Sequence, residues 1–376
     1  MASDGGDPLG NLAGLKPEEL DFLAAVAKRA FQSVLRHPEP IYLKTDEGMR
    51  KETPKDKLYV ASFAFELPDP EQYSKEMPRT GGKPWSPIPY KIVEFQDAGE
   101  SWDLLPRTVE DFIQEGKKIG ASVSPHFVLL NELSHAFEAQ SRLASKWTEL
   151  ARTHKAYIVP GTFHCTTEFF GVAPIYSPDP RKPYFALKHN SAVKQQERIR
   201  TPDTRELMVF ETDFGNIIIW ICLDMYDPGL VLKFLNITHR FTGKRETRSK
   251  PKREISLVLV PAYSRDSVEN IENSIRTISR FSKTAIVCAN SYFEPGVQNR
   301  KESHGFSCGL PLDVILQKDY FIEGVKEPFC KATLYGVSVN ELGECQAANY
   351  EQNGIFSSAF SAIINGGPYV VRDVPD

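Results

Sequence analysis

Ile217-Ile218-Ile219-Trp220-Ile221-Cys222-Leu223 is the longest uninterrupted apolar run in the chain. It is far shorter than the roughly 20 residues a membrane-crossing helix needs, and it has the length of one buried β-strand. Gly215-Asn216 precedes it, and Asp224, Asp227 and Pro228 close it, so turn residues bound the strand on both sides. The thiol of Cys222 therefore stands where a strand gives way to a turn. In parallel-type sheets the carboxyl end of a strand is where ligands and chemistry sit. A free cysteine taken alone is most often a packed core residue, so its meaning depends on its company.

Other strand-sized apolar stretches lie at Tyr59–Phe65, His126–Leu130, Ala156–Val159, Leu257–Ala262 and Ala285–Asn290. Between them run amphipathic helical patterns. Leu143, Trp147, Leu150 and Ala151 fall at i, i+4, i+7 and i+8, and Val268, Ile271, Ile275, Ile278 and Phe281 form one apolar stripe. A further helix is expected from about Thr108 to Gly120, with Val109, Phe112, Ile113 and Ile119 on one side. Strands alternating with such helices predict an α/β layered fold.

Two of these stretches end as the Cys222 strand does, in a chemically useful residue. His126–Leu130 leads to Glu132, and Pro183-Tyr184-Phe185-Ala186-Leu187 leads to Lys188, with Glu197 shortly after. Breaking an amide needs a nucleophile, a group that moves protons, and a positive or donor group where negative charge develops on oxygen. A carboxylate can collect the proton of a thiol while a nearby ammonium stabilises the thiolate. Glu132, Lys188 and Cys222 supply those three functions. Each residue taken singly reads as a strand terminus or a surface charge; their joint placement at strand ends favours the catalytic reading.

The arrangement resembles the nitrilase, or carbon-nitrogen hydrolase, superfamily from about Lys57 to Cys345. Cys222-Leu223-Asp224-Met225 with Pro228 is similar to that family's Cys-x-Asp followed by proline; Leu257–Ala262 and Ala285–Asn290 are similar to its strands ending in Pro-Ala and in Asn. The resemblance implies an α-β-β-α four-layer sandwich, pairing of subunits into a homo-oligomer, and no metal or other cofactor. It also implies roles: Glu132 as general base and later acid, Cys222 as nucleophile, and Lys188 as stabiliser of the oxyanion. Glu197 would orient the substrate nitrogen or tune its neighbours, and Lys194 competes for the place of Lys188. The N–H of Leu223 would be a second oxyanion donor. Asp224, which would also hold the Cys222 turn, and His189 are expected beside the substrate, whereas His164 and Cys165 are read as ordinary polar residues. Glu132→Gln and Lys188→Met are expected to damage the rate rather than the fold.

The chain departs from the family at Gly229, where many members carry Glu, and at Leu223, where aromatic or polar residues often stand. It lacks the signature of a true nitrilase, an N-carbamoylase or a NAD synthetase glutaminase. The expected function is hydrolysis of a small carboxamide-type substrate through a Cys222 thioester. The alternatives are acyl transfer to an amine, or a catalytically weak or silent module that binds a partner.

Four regions fall outside the family's minimum: an N-terminal helical accessory segment (1–55), a C-terminal tail (346–376), and two insertions, 68–89 and 239–254, within the hydrolase-like domain (56–345). Pro68, Pro70, Pro78, Pro84, Pro87 and Pro89 with Gly81-Gly82 predict a surface loop without regular structure. Residues 239–254 carry seven Lys or Arg against two Glu, which predicts a solvated connector that could contact a polyanion or acidic partner. A net charge of −4 gives no global basic field, so nucleic acid is not an expected partner of the whole chain. Six cysteines without CxxC pairing read as free thiols of a cytoplasmic protein. Met1–Asp7 is polar and acidic, so no secretory leader is expected.

Overall fold

The computed structural model describes residues 41–44, 57–67, 74–77, 90–93, 100–120, 123–134, 137–165, 170–179, 184–192, 197–202, 207–237, 255–264, parts of 271–282, 284–291, 306–308, 312–324 and 328–338. In chain order, strands β1 (Ile41–Lys44), β2 (Lys57–Phe65), β3 (Ser74–Met77) and β4 (Tyr90–Val93) lead to helix α1 (Glu100–Ile119) and strand β5 (Phe127–Leu130). Helix α2 (Phe137–His154) precedes β6 (Tyr157–Val159), β7 (Phe163–His164), β8 (Gly171–Ile175), β9 (Tyr184–Leu187), β10 (Met208–Thr212) and β11 (Gly215–Ile219). A 3-10 turn at Cys222–Tyr226 runs into α3 (Pro228–Ile237). The described elements end with β12 (Ile255–Ala262), β13 (Ala285–Asn290), β14 (Phe306–Cys308), β15 (Leu312–Phe321) and β16 (Pro328–Ser338).

Two large sheets form, one in the order β1-β10-β11-β12-β13-β14 and one in the order β15-β16-β2-β5-β6. Strands β11, β12 and β13 run parallel, as do β2, β5 and β6. Alternation along these strands explains the layering, since successive side chains point to opposite faces. Leu58, Val60, Phe127, Leu129, Tyr157 and Val159 join the six-stranded sheet in one core. Their sequence neighbours Ala61, Phe63, Phe65, Val128, Leu130 and Ile158 lie instead under α1 and α2. The helices answer with Val109, Phe112 and Ile113 from α1 and Leu143, Trp147, Leu150 and Ala151 from α2. Val231, Phe234 and Leu235 of α3, with the helical residues Ile271, Ile275 and Ile278, join the core through the six-stranded sheet. The class is α/β, with the two sheets sharing one core and α1 and α2 covering the other face of the five-stranded sheet. Strands covered on both faces need apolar residues at every position, which is why they read as continuous apolar runs.

Some local expectations need correction. Helix α1 begins at Glu100, ahead of Thr108, and contains Pro106, which cannot donate the helical bond to the carbonyl of residue 102. Ile119, expected on its apolar side, is exposed at the helix end. Within 68–89, Ser74–Met77 is a strand paired antiparallel with β4. Its four residues lie within the proline-free window 71–77 between Pro70 and Pro78, so the ladder loses no donor there. Residues 41–44, counted by sequence in the accessory segment, pair with β10 in the six-stranded sheet. The helix expected in 1–40, the basic segment 239–254 and the tail 346–376 lie outside the described residues. Among the described residues, no helix is long and apolar enough to cross a membrane.

Candidate active site

Strand β5 delivers Glu132 through a corner held on several sides. Asn131 accepts from the Phe65 N–H at 2.8 Å and donates to Ser291 Oγ at 2.7 Å, so it ties the end of β5 to β2 and to the residue after β13. Leu133 takes a left-handed φ of 61°, and its N–H donates to Thr162 Oγ1 at 2.9 Å. Ser134 Oγ donates to the carbonyls of Asn131 and Pro160. Gly161, at φ +88°, closes the corner, and a Cβ there would strike Ser134 Oγ and the Asn131 carbonyl. Gly161→Ala is therefore expected to cost more than the ~1–2 kcal/mol of a left-handed backbone alone. It should also slow Cys222 alkylation by displacing Glu132. An unchanged urea midpoint would mean that the corner yields freely.

Glu132 reaches across the two sheets. Its own N–H donates to the Ala262 carbonyl at the end of β12, and its Oε2 accepts from the Tyr263 N–H at 3.0 Å. Its Oε1 accepts from Lys188 Nζ at 2.6 Å. Lys188 follows β9, and its N–H donates to the Gly171 carbonyl on β8 at 2.9 Å. Gly171 gives the lysine stem its room: a Cβ there would lie 3.0 Å from Lys188 Cβ and 3.3 Å from its Cδ.

The Lys188 ammonium is buried between two carboxylates. Glu197 Oε2 accepts from it at 2.6 Å and Oε1 at 2.9 Å, opposite Glu132. Glu197 Oε2 also accepts from the Ala192 N–H at 2.6 Å, and Oε1 lies 2.7 Å from Nε2 of the buried His164. Both oxygens of Glu197 are thereby engaged. It anchors Lys188, and the expected contact with a substrate nitrogen has no oxygen left to make it.

Cys222 opens the 3-10 turn with φ 50°, a conformation that L-residues adopt at a cost. Asp224 holds the turn. Its carboxylate accepts from the N–H groups of His189, Asn190 and Ile221 and from Asn190 Nδ2 at 3.0 to 3.4 Å. Asp224 thus ties the residues after Lys188 to the residues around Cys222. Asp227 caps α3, accepting from the N–H groups of Gly229 and Leu230, with Pro228 in the first helical position. Asp224, expected beside the substrate, is instead buried and engaged by backbone. Leu223 is partly buried against the core, and its N–H precedes the turn's first internal bond, from Asp224 to the Ile221 carbonyl. His189 is partly buried and linked to Asp224 through its own N–H.

Electrostatics divide the two carboxylates. Burial pushes Glu132 above the usual carboxylate range; Lys188 pulls it down and the charge of Glu197 pushes it up again. Burial also works against charge on Glu197, but the Lys188 ammonium and the His164 hydrogen bond outweigh it and hold the group at about 2. Burial would lower Lys188, yet Glu132 and Glu197 together hold it well above the ordinary lysine value. Cys222 is pushed well above the ordinary thiol value by burial and by the Glu132 charge, which Lys188 offsets only in part. Cys222 Sγ donates to the Tyr263 carbonyl at 3.9 Å and lies beside the Glu132 carboxylate. Burial raises Asp224 to about 7, with Lys188 and the surrounding N–H donors pulling the other way.

Glu132, Lys188, Glu197 and Cys222 thus meet in one buried cluster, while Lys194 lies outside the described residues. His164 belongs to the cluster although sequence reading set it aside. Its only sequence signal was a histidine at the end of a short apolar stretch after Pro160-Gly161, and its partner lies 33 residues away.

No protein-family model and no curated protein sequence matches the chain. Among solved structures, Saccharomyces cerevisiae Nit3, described as a member of branch 10 of the nitrilase superfamily, is similar at a TM-score of 0.47 and 11% identity, covering 79% of this chain and 97% of that one. An amidase from Nesterenkonia sp. is similar at 0.46 and 12%, covering 77% and 93%. A carbon-nitrogen hydrolase from Helicobacter pylori G27 is similar at 0.45 and 9%, covering 76% and 91%. Likeness of this degree assigns no activity. The chain is similar in structure to nitrilase-superfamily and carbon-nitrogen hydrolase proteins.

Proposed function

We propose that the protein hydrolyses a carbon-nitrogen bond of a small carboxamide-type substrate through a thioester on Cys222. The observation that carries this reading is that Cys222, Glu132 and Lys188, from three different elements, are buried together, with Lys188 on Glu132 and both Glu132 and Cys222 bonded to the Tyr263 backbone. Cys222 sulfur attacks the carbonyl carbon while its proton passes to Glu132. Accepting that proton neutralises Glu132, which loosens its hold on Lys188 and turns the ammonium toward the new oxyanion. The Leu223 N–H is the second donor at that oxygen. Collapse of the tetrahedral intermediate breaks the carbon-nitrogen bond, and Glu132 returns the proton to the leaving ammonia or amine. Water, deprotonated by Glu132, then attacks the thioester and frees the acid and the thiol.

A screen of amides, nitriles and carbamoyl compounds for ammonia or amine release, with Cys222→Ala as control, tests the reading. A mass increase of one acyl group on Cys222 would support it further. Transfer to added amines in preference to water would turn the reading to acyl transfer. Neither release nor a covalent adduct from any compound class would overturn it.

Subunit pairing and a partner for the basic segment are part of the same proposal. Replacing residues 239–254 with a short neutral linker is expected to leave turnover unchanged and to remove binding to an acidic polymer such as heparin. In the wild type, that binding should fade between 0.05 and 0.5 M salt, on the order of the range where exposed charges are screened. Heparin binding that survives the replacement would place the contact elsewhere.

A further inference from the structure

The three-stranded sheet β7-β8-β9 sets three residues in one cross-strand row. His164 pairs with Gly171, and the N–H of Lys188 bonds to the Gly171 carbonyl. On neighbouring strands, residues in register present side chains to the same face. The middle member of this row has no side chain. The Glu197 carboxylate bridges the two outer members, 2.7 Å from His164 Nε2 and 2.6 Å from Lys188 Nζ. His164 is 3% exposed, so it is a buried polar ring whose contact with this carboxylate needs a functional account.

We propose that His164 is a positioning residue of this site: by donating Nε2–H to Glu197 Oε1, it fixes that carboxylate as the permanently charged partner of Lys188 and leaves Glu132 to exchange protons with Cys222. The inference rests on the reading of Cys222 as nucleophile and Glu132 as its base. Two carboxylates around one ammonium compete for the first proton to arrive, and the loser of that competition stays charged. The surroundings of the pair differ in one respect that decides the outcome. Glu197 accepts from His164, Lys188 and the Ala192 N–H, whereas Glu132 accepts from Lys188 and the Tyr263 N–H and has the Cys222 thiol as its neighbour. The charged and titratable groups facing Glu197 are Lys188 and His164 in direct contact, with Glu132, Cys222 and Asp224 grouped around the same ammonium. With Glu197 kept as an anion, the ring nitrogen facing it must carry the hydrogen, which assigns the tautomer.

The experiment is alkylation of Cys222 by iodoacetamide in the full chain, followed by mass spectrometry across pH 4 to 9, roughly the span over which carboxylate and thiol titrations show. This readout needs no substrate. In the wild type the rate is expected to fall on the acid side as Glu132 takes a proton. In His164→Leu both carboxylates are open to the first proton, so the pair binds it at higher pH. If the proton settles on Glu132 the base is lost; if it settles on Glu197, Lys188 draws the Glu132 charge away from the thiol. The acid limb should therefore move up by about one pH unit, as loss of a charge-assisted hydrogen bond implies. His164→Gln places an N–H the same number of bonds from Cβ and should restore the wild-type limb. If His164→Leu fails to fold, His164→Asn, polar but one bond too short, should shift the limb where Gln does not. A limb unchanged in Leu or Asn, or shifted equally in Gln, would overturn the role of His164 alone. A wild-type profile without an acid limb, or one unaffected by Glu132→Gln, would overturn the base assignment and this inference with it.

Discussion

Cys222→Ala is expected to abolish turnover while leaving a cooperatively folded protein. Removal of the nucleophile eliminates the covalent route, a loss on the order of 10⁴-fold or more in enzymes that use one. The packing penalty is small by comparison, because one sulfur atom leaves a shallow gap and alanine keeps the same backbone strain. Cys222→Ser should be nearly as inactive, since an alcohol is much harder to ionise than a thiol. The measurement is ammonia release together with a urea unfolding curve. Wild-type release by the alanine variant would remove Cys222 from the chemistry, and loss of the unfolding transition would make it a core residue first.

Lys188→Met is expected to destroy both rate and stability. The sequence leads to an expectation of damage to the rate rather than the fold, through lost oxyanion stabilisation. The structure adds a cost to the fold, because the lysine is 1% exposed and its ammonium lies between two buried carboxylates. Methionine fills a similar volume but leaves Glu132 and Glu197 facing each other without a counter-charge. Breaking a buried ion pair by removing one partner typically costs about 3–5 kcal/mol. Glu132→Gln should cost less, because Glu197 still neutralises the ammonium and the amide can still accept a hydrogen bond. A double variant, Lys188→Met with Glu197→Gln, should recover part of the lost stability, since one of the stranded charges is gone. Urea midpoints of the three variants decide the matter. A Lys188→Met protein as stable as the wild type would mean that the carboxylates are already protonated in the resting site.

The layered fold was legible because its strands are buried on both faces, and such strands declare themselves as unbroken apolar runs such as Phe127–Leu130 and Ile217–Ile221. Helix α2 was legible from Leu143, Trp147, Leu150 and Ala151, which follow one helical stripe and are all buried. The hairpin of β15 and β16 was not. Residues 313, 314, 317 and 319 of β15 are exposed, so no apolar run marks it, and β16 finds β2 across more than 260 residues of chain. The polar cluster divides in the same way. Cys222, Glu132 and Lys188 each close a strand, and a strand end is a local signal. His164 and Asn131 act through partners at Glu197 and Ser291 that only folding brings near. Glu197 follows no strand and taken singly reads as a surface charge, yet it accepts from the ammonium through both of its oxygens.

The left-handed backbone of Cys222 sets stability against chemistry at a single residue. Most side chains there work against a φ of 50°, and glycine alone would adopt it freely. Cys222→Gly should therefore melt above Cys222→Ala, although glycine is ordinarily the more costly of the two. A lineage released from the need to turn over substrate would drift toward glycine at position 222, gaining stability as it lost its nucleophile.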